Sequence, residues 1–324
     1  MENEQQEQQE QQEQQEQQEQ QEQQEQQEQQ NITYSFKNPN TGQEFNIIHA
    51  YMLYENYFKT VKVNPDESLY QLYQQVIIEP VYDACFKDGE YYKFSVFEWT
   101  PKESDFNSIK NQIESMDKDH INKLYEESLV KSSDILSSNK KTTICVFPKN
   151  ERFPSDMMIV GSGKILVLFN NFDNYYTLSE LDNNNNNNNN KSGMSHEYHH
   201  SVWIEKHYTE DFFPTVLDSL IMEGQAVMFE TLVYPDSNST DYVVNESFNK
   251  EYWSRIPNLE SSASGVVEIL IGGSNGLPDY YGYSEGYKMI RSYLNLHPDM
   301  TVEEWTSKSP KEIFEEGNYK ANYE

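Results

Sequence analysis

Residues 196–200 read His-Glu-Tyr-His-His. On a helix, His196 and His200 stand about one turn and ~6 Å of rise apart, so both imidazoles point the same way. Two imidazole nitrogens so placed can take two corners of a zinc tetrahedron, each at about 2.0–2.1 Å. Glu197 is turned roughly 100° from His196 and does not share that task. Its carboxylate suits a different one, taking a proton from a water that the metal acidifies. Four of the chain's seven histidines fall between His196 and His207, a concentration that favours a site over a solvated helix face.

A zinc centre that keeps an open position takes three protein ligands. A third His six residues after His200, with Gly at position 203, would supply one; those positions hold Lys206 and Trp203. His207 would stand ~16 Å along a continuing helix from His196, out of reach. The pattern instead resembles a second class of zinc site, whose third ligand is a Glu from a second helix some twenty residues on, and residues 214–233 fit that helix. Pro214 suits a first turn, apolar residues recur at Val216, Leu220 and Val227, and Pro235 follows the end. Glu223 falls on the apolar side of that helix, where a bare carboxylate is costly and coordination removes the cost. Gly224 in mid-helix costs ~1 kcal/mol relative to Ala and lets another helix come close. Asp218 and Glu230 are rivals. Glu230, two turns on along the same face, reads better as the hydrogen-bond partner of a ligand imidazole.

With these residues in place, the chain resembles the glutamate-type zincins, among them the thermolysin-like and M1-type aminopeptidases. More specifically it resembles the YjaZ-like family of predicted zinc-dependent proteases. Supporting stretches are Val146-Phe147-Pro148, Gly161-Ser162-Gly163 with the strand before the motif, and Gly282-Tyr283-x-x-Gly286-Tyr287; the likeness covers residues 40 to 300. It implies an α+β, zincin-like metallopeptidase fold with Zn2+ held by His196, His200 and Glu223. Glu197 is then the general base, and the partner is a peptide or protein substrate. In zincins the strand before the motif helix forms the sheet edge that pairs with an extended substrate, a role that would fall to Lys164–Phe169. An oxyanion donor is also needed; Tyr283 is the candidate and His297 the reserve. His199 is expected to pack or hydrogen-bond beside the site. An inactive zincin-like binding protein is the alternative to an enzyme.

Residues 1–30 are almost wholly Gln and Glu in a period of three, with ten glutamates and no Lys or Arg. A period of three precesses around a 3.6-residue helix and leaves no stripe to bury, so this tail reads as disordered or a fragile solvated helix. The formal charge of −30 leaves about −20 for the rest once those ten glutamates are set aside. Such acidity argues against nucleic acid or anionic membranes as partners. With no apolar leader and no run of 18 apolar residues, a cytoplasmic protein is expected. The N-x-[ST] sequons at Asn31, Asn238 and Asn245 then carry no glycan. Cys85 and Cys145 cannot make a disulfide framework, so reduced thiols are the simpler assumption.

Periodicity sets the organisation. Leu69, Leu72, Tyr73, Val76 and Ile77 recur at helical spacing up to Pro80, as do Ile109, Ile113 and Met116, then Ile121, Leu124 and Leu129. Residues 143–147, 157–160 and Lys164–Phe169 read as strands. Asn183–Asn190 reads as a polar insertion in the loop before the motif helix. Thr301-x-x-Glu304 and Ser309-x-x-Glu312 are capping boxes. A tail over 1–30 thus precedes one domain over 31–324. Within it, 31–140 is expected to be mostly helical and 141–324 to hold the zinc site, with a small sheet preceding the active-site helix.

Overall fold

Alternation at Tyr34-Ser35-Phe36 and at Phe45-Asn46-Ile47, across the turn residues Asn38-Pro39-Asn40-Thr41-Gly42, builds a hairpin of β1 (Thr33–Lys37) and β2 (Glu44–Ile48). The computed structural model describes residues 31–89, 99–149, 156–169, 184–209, 212–237, 240, 247–274 and 276–323. The Gln/Glu stretch over 1–30, Asn183 and the sequons at Asn238 and Asn245 lie outside these. Helices α1 (Tyr54–Val63), α2 (Leu69–Tyr73), α3 (Tyr82–Cys85), α4 (Phe106–Ser115) and α5 (Lys118–Ile135) follow. Strands β3 (Thr142–Pro148), β4 (Met157–Gly161) and β5 (Lys164–Phe169) come next, then α6 (Asn184–His207) and α7 (Val216–Val233). The chain continues through α8 (Lys250–Trp253), α9 (Val266–Ile271), α10 (Tyr281–Leu296), α11 (Val302–Thr306) and α12 (Pro310–Glu316).

The fold is mixed α+β around one sheet of order β1-β2-β3-β5-β4. Strands β2, β3 and β5 run parallel, and β1 and β4 are antiparallel at the two ends. Both faces of the central strands are buried, as a two-residue period requires of a covered sheet. Ile144, Val146, Ile165 and Val167 face the layer of α5, α6, α7 and α10. Cys145, Phe147, Leu166 and Leu168 face α1 to α4. No helix among the described residues is long and apolar enough to cross a membrane.

The region 31–140 is mostly helical, but it begins with a hairpin, because β1 and β2 extend the sheet that β3 starts. Three expectations change. Strand β5 is interior, between β3 and β4, so its backbone groups bond its two neighbours. The outermost strand on that side is β4, which the tight turn at Gly163 folds back along β5. The asparagines from Asn184 onward belong to α6 rather than to a loop; Asn is a weak but tolerated helix former, and extending an existing helix avoids a new nucleus. Finally, Cys85 and Cys145 form a disulfide with Cα atoms 6.0 Å apart. Cys145 lies on the face of β3 that packs under α3, a proximity invisible to a count of cysteines.

Candidate metal centre

Each residue of the 196–200 string is aimed by its angle on α6. Tyr198 is fully buried, its hydroxyl 2.8 Å from both Gln43 Oε1 and the Leu136 carbonyl, which pins the helix to the sheet side. One turn on, Ser201 Oγ accepts from the Gly163 N–H at 2.7 Å and ties the β4–β5 turn to α6. His199 points toward α11. Its ring stacks on Trp305 at 5.4 Å, and its Nε2 is 3.2 Å from Thr306 Oγ1. Burial holds this imidazole well below its ordinary pKa, hence neutral. His207 Nε2 reaches the Thr306 carbonyl at 2.7 Å, and Gln225 Nε2 donates to the Trp305 carbonyl at 2.7 Å. The pair Trp305-Thr306 at the end of α11 thus clamps α6 to α7. That clamp had no local signal in the sequence, because its partners lie 80 or more residues away.

His196 and His200 face α7, and Glu197 lies close enough to feel their charge. Opposite them, α7 begins at a capping box in which the Thr215 hydroxyl accepts from the Asp218 N–H and Asp218 accepts from the Thr215 N–H. Asp218 is thereby used as a helix cap. Further along, α7 crosses α10 backbone to backbone. A Cβ on Gly224 would lie 2.0 Å from the carbonyl carbon of Gly286, and one on Gly286 would lie 1.8 Å from the Leu220 oxygen. Only glycines permit this crossing; Glu223 adjoins Gly224 on α7, and Tyr283 stands one turn before Gly286 on α10.

The result is a cluster of three ligand atoms, from His196, His200 and Glu223, all within 4.8 Å of one another. Glu223 Oε2 is 3.3 Å from His196 Nε2 and 3.1 Å from His200 Nε2. Ligands at 2.0–2.1 Å around a tetrahedral ion stand ~3.3 Å apart, so the donors suit zinc in atom type and the two His–Glu spacings match it. Behind it, Glu230 Oε2 is 3.1 Å from His196 Nδ1, and its other oxygen accepts from Ser192 Oγ at 2.7 Å. With a metal bound, an Nδ1–H donated to Glu230 would leave the Nε2 lone pair free for the ion. His200 Nδ1 is buried and makes no hydrogen bond. Sequence reasoning had no signal for Ser192.

Electrostatics follow the same geometry. Burial alone would depress the His196 pKa, but hydrogen bonds to Glu223 and Glu230 lift it well above the ordinary imidazole range. Burial alone would raise Glu223, yet His200 and His196 hold its carboxyl well below the usual carboxylate range. For Glu197 burial wins: its carboxyl is raised, with Glu223 and Glu230 pushing the same way against the pull of His200 and His196. A carboxylate with raised proton affinity is the kind that accepts and returns a proton near neutral pH.

The structure brings Tyr283 to this cluster, its ring 6.2 Å from that of His196. It does not bring His297, which caps the far end of α10 and packs on Tyr293 at 4.4 Å. An α+β protein with a three-residue site able to hold a metal ion is the class that fold and site define. The family model described as Predicted Zn-dependent protease (DUF2268) matches residues 121–315, from within α5 to α12. The chain belongs to this family, the YjaZ-like predicted zinc proteases. No curated protein and no solved structure matches it.

Proposed function

We propose that the protein is a zinc-dependent peptidase of zincin type, with His196, His200 and Glu223 holding the metal. The observation that carries this reading is the pair of 3.1 and 3.3 Å separations at Glu223 Oε2, with Glu197 alongside as a base of raised proton affinity. Zinc held there supplies Lewis acidity, bringing the pKa of a water to about 7 and polarising a carbonyl. Glu197 accepts the proton of the attacking water and returns it to the leaving amine. Tyr283 offers its hydroxyl to the oxygen on which charge develops. Glu230 fixes the ring and tautomer of His196 by accepting from Nδ1–H.

Metal analysis tests the ligands. His196→Ala, His200→Ala and Glu223→Ala should each lose zinc, and full occupancy in any of them removes that residue from the site. Glu197→Gln tests the chemistry, since it keeps shape and hydrogen bonding but cannot accept a proton. It should retain zinc and fold while losing hydrolysis of a mixed peptide library by ~10²-fold or more. An unchanged cleavage pattern would show that Glu197 is not the base. A zinc-loaded wild type that cuts nothing across a broad library would favour a binding protein that kept the fold without turnover.

A further inference from the structure

Helix α9 reads Val-Val-Glu-Ile-Leu-Ile, apolar at five of its six positions. A helix that is apolar all round is normally buried all round. Here Val266, Ile269 and Leu270 enter the core, but Val267 and Ile271 remain 51% and 43% exposed. They are four residues apart and share one face. The chain then folds back sharply through Gly272, at φ +64, where a Cβ would lie 1.8 Å from the Pro278 oxygen. That return brings Tyr280 against the end of α9, its N–H donating to the Ile271 carbonyl. Tyr280 itself is held at φ +53 and ψ +32, a left-handed conformation that a bulky residue adopts only at an energetic cost. Glycine would fit the turn without strain; this chain carries an aromatic ring there, 38% exposed.

The Tyr280 ring is 5.9 Å from Tyr283, and Tyr283 is 6.2 Å from His196. Tyr280, whose backbone bonds the end of α9, thus stands between the exposed residues of that helix and the Tyr283–His196 pair. An extended peptide advances ~3.3 Å per residue, so two such ring-to-ring steps span at most about four residues of substrate. We infer that Val267, Ile271 and Tyr280 form a recognition surface for a bulky aliphatic or aromatic side chain, within about four residues of the bond cleaved. This inference rests on the peptidase reading for its substrate class, but its test does not require turnover.

The probe is a mixed random-sequence peptide library captured on zinc-loaded Glu197→Gln and read by mass spectrometry. Captured peptides should be enriched about tenfold in Phe, Tyr, Leu, Ile or Met at one position, the scale of one buried apolar side chain. Adding Val267→Ser with Ile271→Ser, or Tyr280→Gly, should abolish that enrichment while zinc content and thermal midpoint stay near those of Glu197→Gln alone. Both sets of changes are at exposed positions, and glycine relieves the strained backbone at 280. Absence of apolar enrichment on Glu197→Gln, or enrichment that survives both sets of changes, overturns the inference. Enrichment as expected beside a wild type that cleaves nothing would sink the peptidase reading and leave the recognition surface standing. Cleavage without enrichment does the reverse.

Discussion

Two mid-helix glycines should respond in opposite directions to the same substitution. Exchanging Gly for Ala in a helix interior gains up to ~1 kcal/mol from propensity alone. At Gly193, in α6 three residues before His196, a Cβ would meet only the Met157 sulfur at 3.7 Å, an ordinary contact. Gly193→Ala should therefore stabilise the protein by about 0.5–1 kcal/mol. At Gly224 the same atom would sit 2.0 Å from the Gly286 carbonyl carbon and 2.3 Å from its oxygen. Carbon atoms pack best at about 3.5–4.0 Å, so the overlap is ~1.5 Å, and it is against backbone that cannot rotate aside. Relief requires α7 and α10 to part, and a gap of 0.5–1 Å already forfeits about a quarter to a half of each contact. Overpacking costs about 1–3 kcal/mol and sometimes more; the depth of this overlap puts Gly224→Ala at or above ~2 kcal/mol destabilising after the propensity gain. Urea unfolding of both variants measures the difference. Because Gly224 adjoins Glu223, zinc affinity should fall with Gly224→Ala and hold with Gly193→Ala. Equal stability for the two variants would refute the backbone crossing and, with it, this account of how Glu223 is placed.

Other expectations follow from the site and the core. Glu230→Ala leaves His196 Nδ1 and Ser192 Oγ without their carboxylate and should weaken zinc binding by about 10–100-fold, as read by competition with a chelating dye; unchanged affinity would remove Glu230 from the support of His196. In the metal-free protein His196 has a raised pKa, so its contribution to stability is complete below about pH 6.5 and is lost as pH rises through its folded value. Glu223 has a lowered pKa, so its contribution is present above about pH 4.3 and is lost as pH falls through its folded value. Chelator-treated protein should thus be less stable at pH 9 than at pH 6, a difference that His196→Ala removes. Zinc affinity should run the other way and rise with pH, because the metal displaces the His196 proton. Reducing Cys85–Cys145, 60 residues apart, should cost up to about 4 kcal/mol by loop entropy; an identical urea midpoint with and without reductant would show that the bridge does not form in solution.

Much of the site could be read locally. The four-residue spacing of His196 and His200 fixes their shared direction on any helix, and the angular offset of Glu197 follows from the same 3.6-residue period. The apolar pattern of 214–233 and the small residue after Glu223 marked α7, although its start is Val216 with Thr215 as cap. The capping boxes at Thr301 and Ser309 are formed as their residue types require, and β3, β4 and β5 fall where short aliphatic runs stood. These features depend on dihedral preference and side-chain direction within one element, which neighbouring residues set.

What only the tertiary structure decided is which elements meet. Tyr283 is one of 24 tyrosines, and nothing in its neighbourhood distinguishes it from Tyr281 or Tyr287; it stands beside His196 because Gly224 and Gly286 let two helices touch. The placement of β5 inside the sheet, the pairing of Cys85 with Cys145 and the clamp of Trp305-Thr306 on His199, His207 and Gln225 are of the same kind. Each is a contact between segments far apart in sequence. Such contacts are chosen by the collective packing of both faces of the sheet, and no local period encodes them.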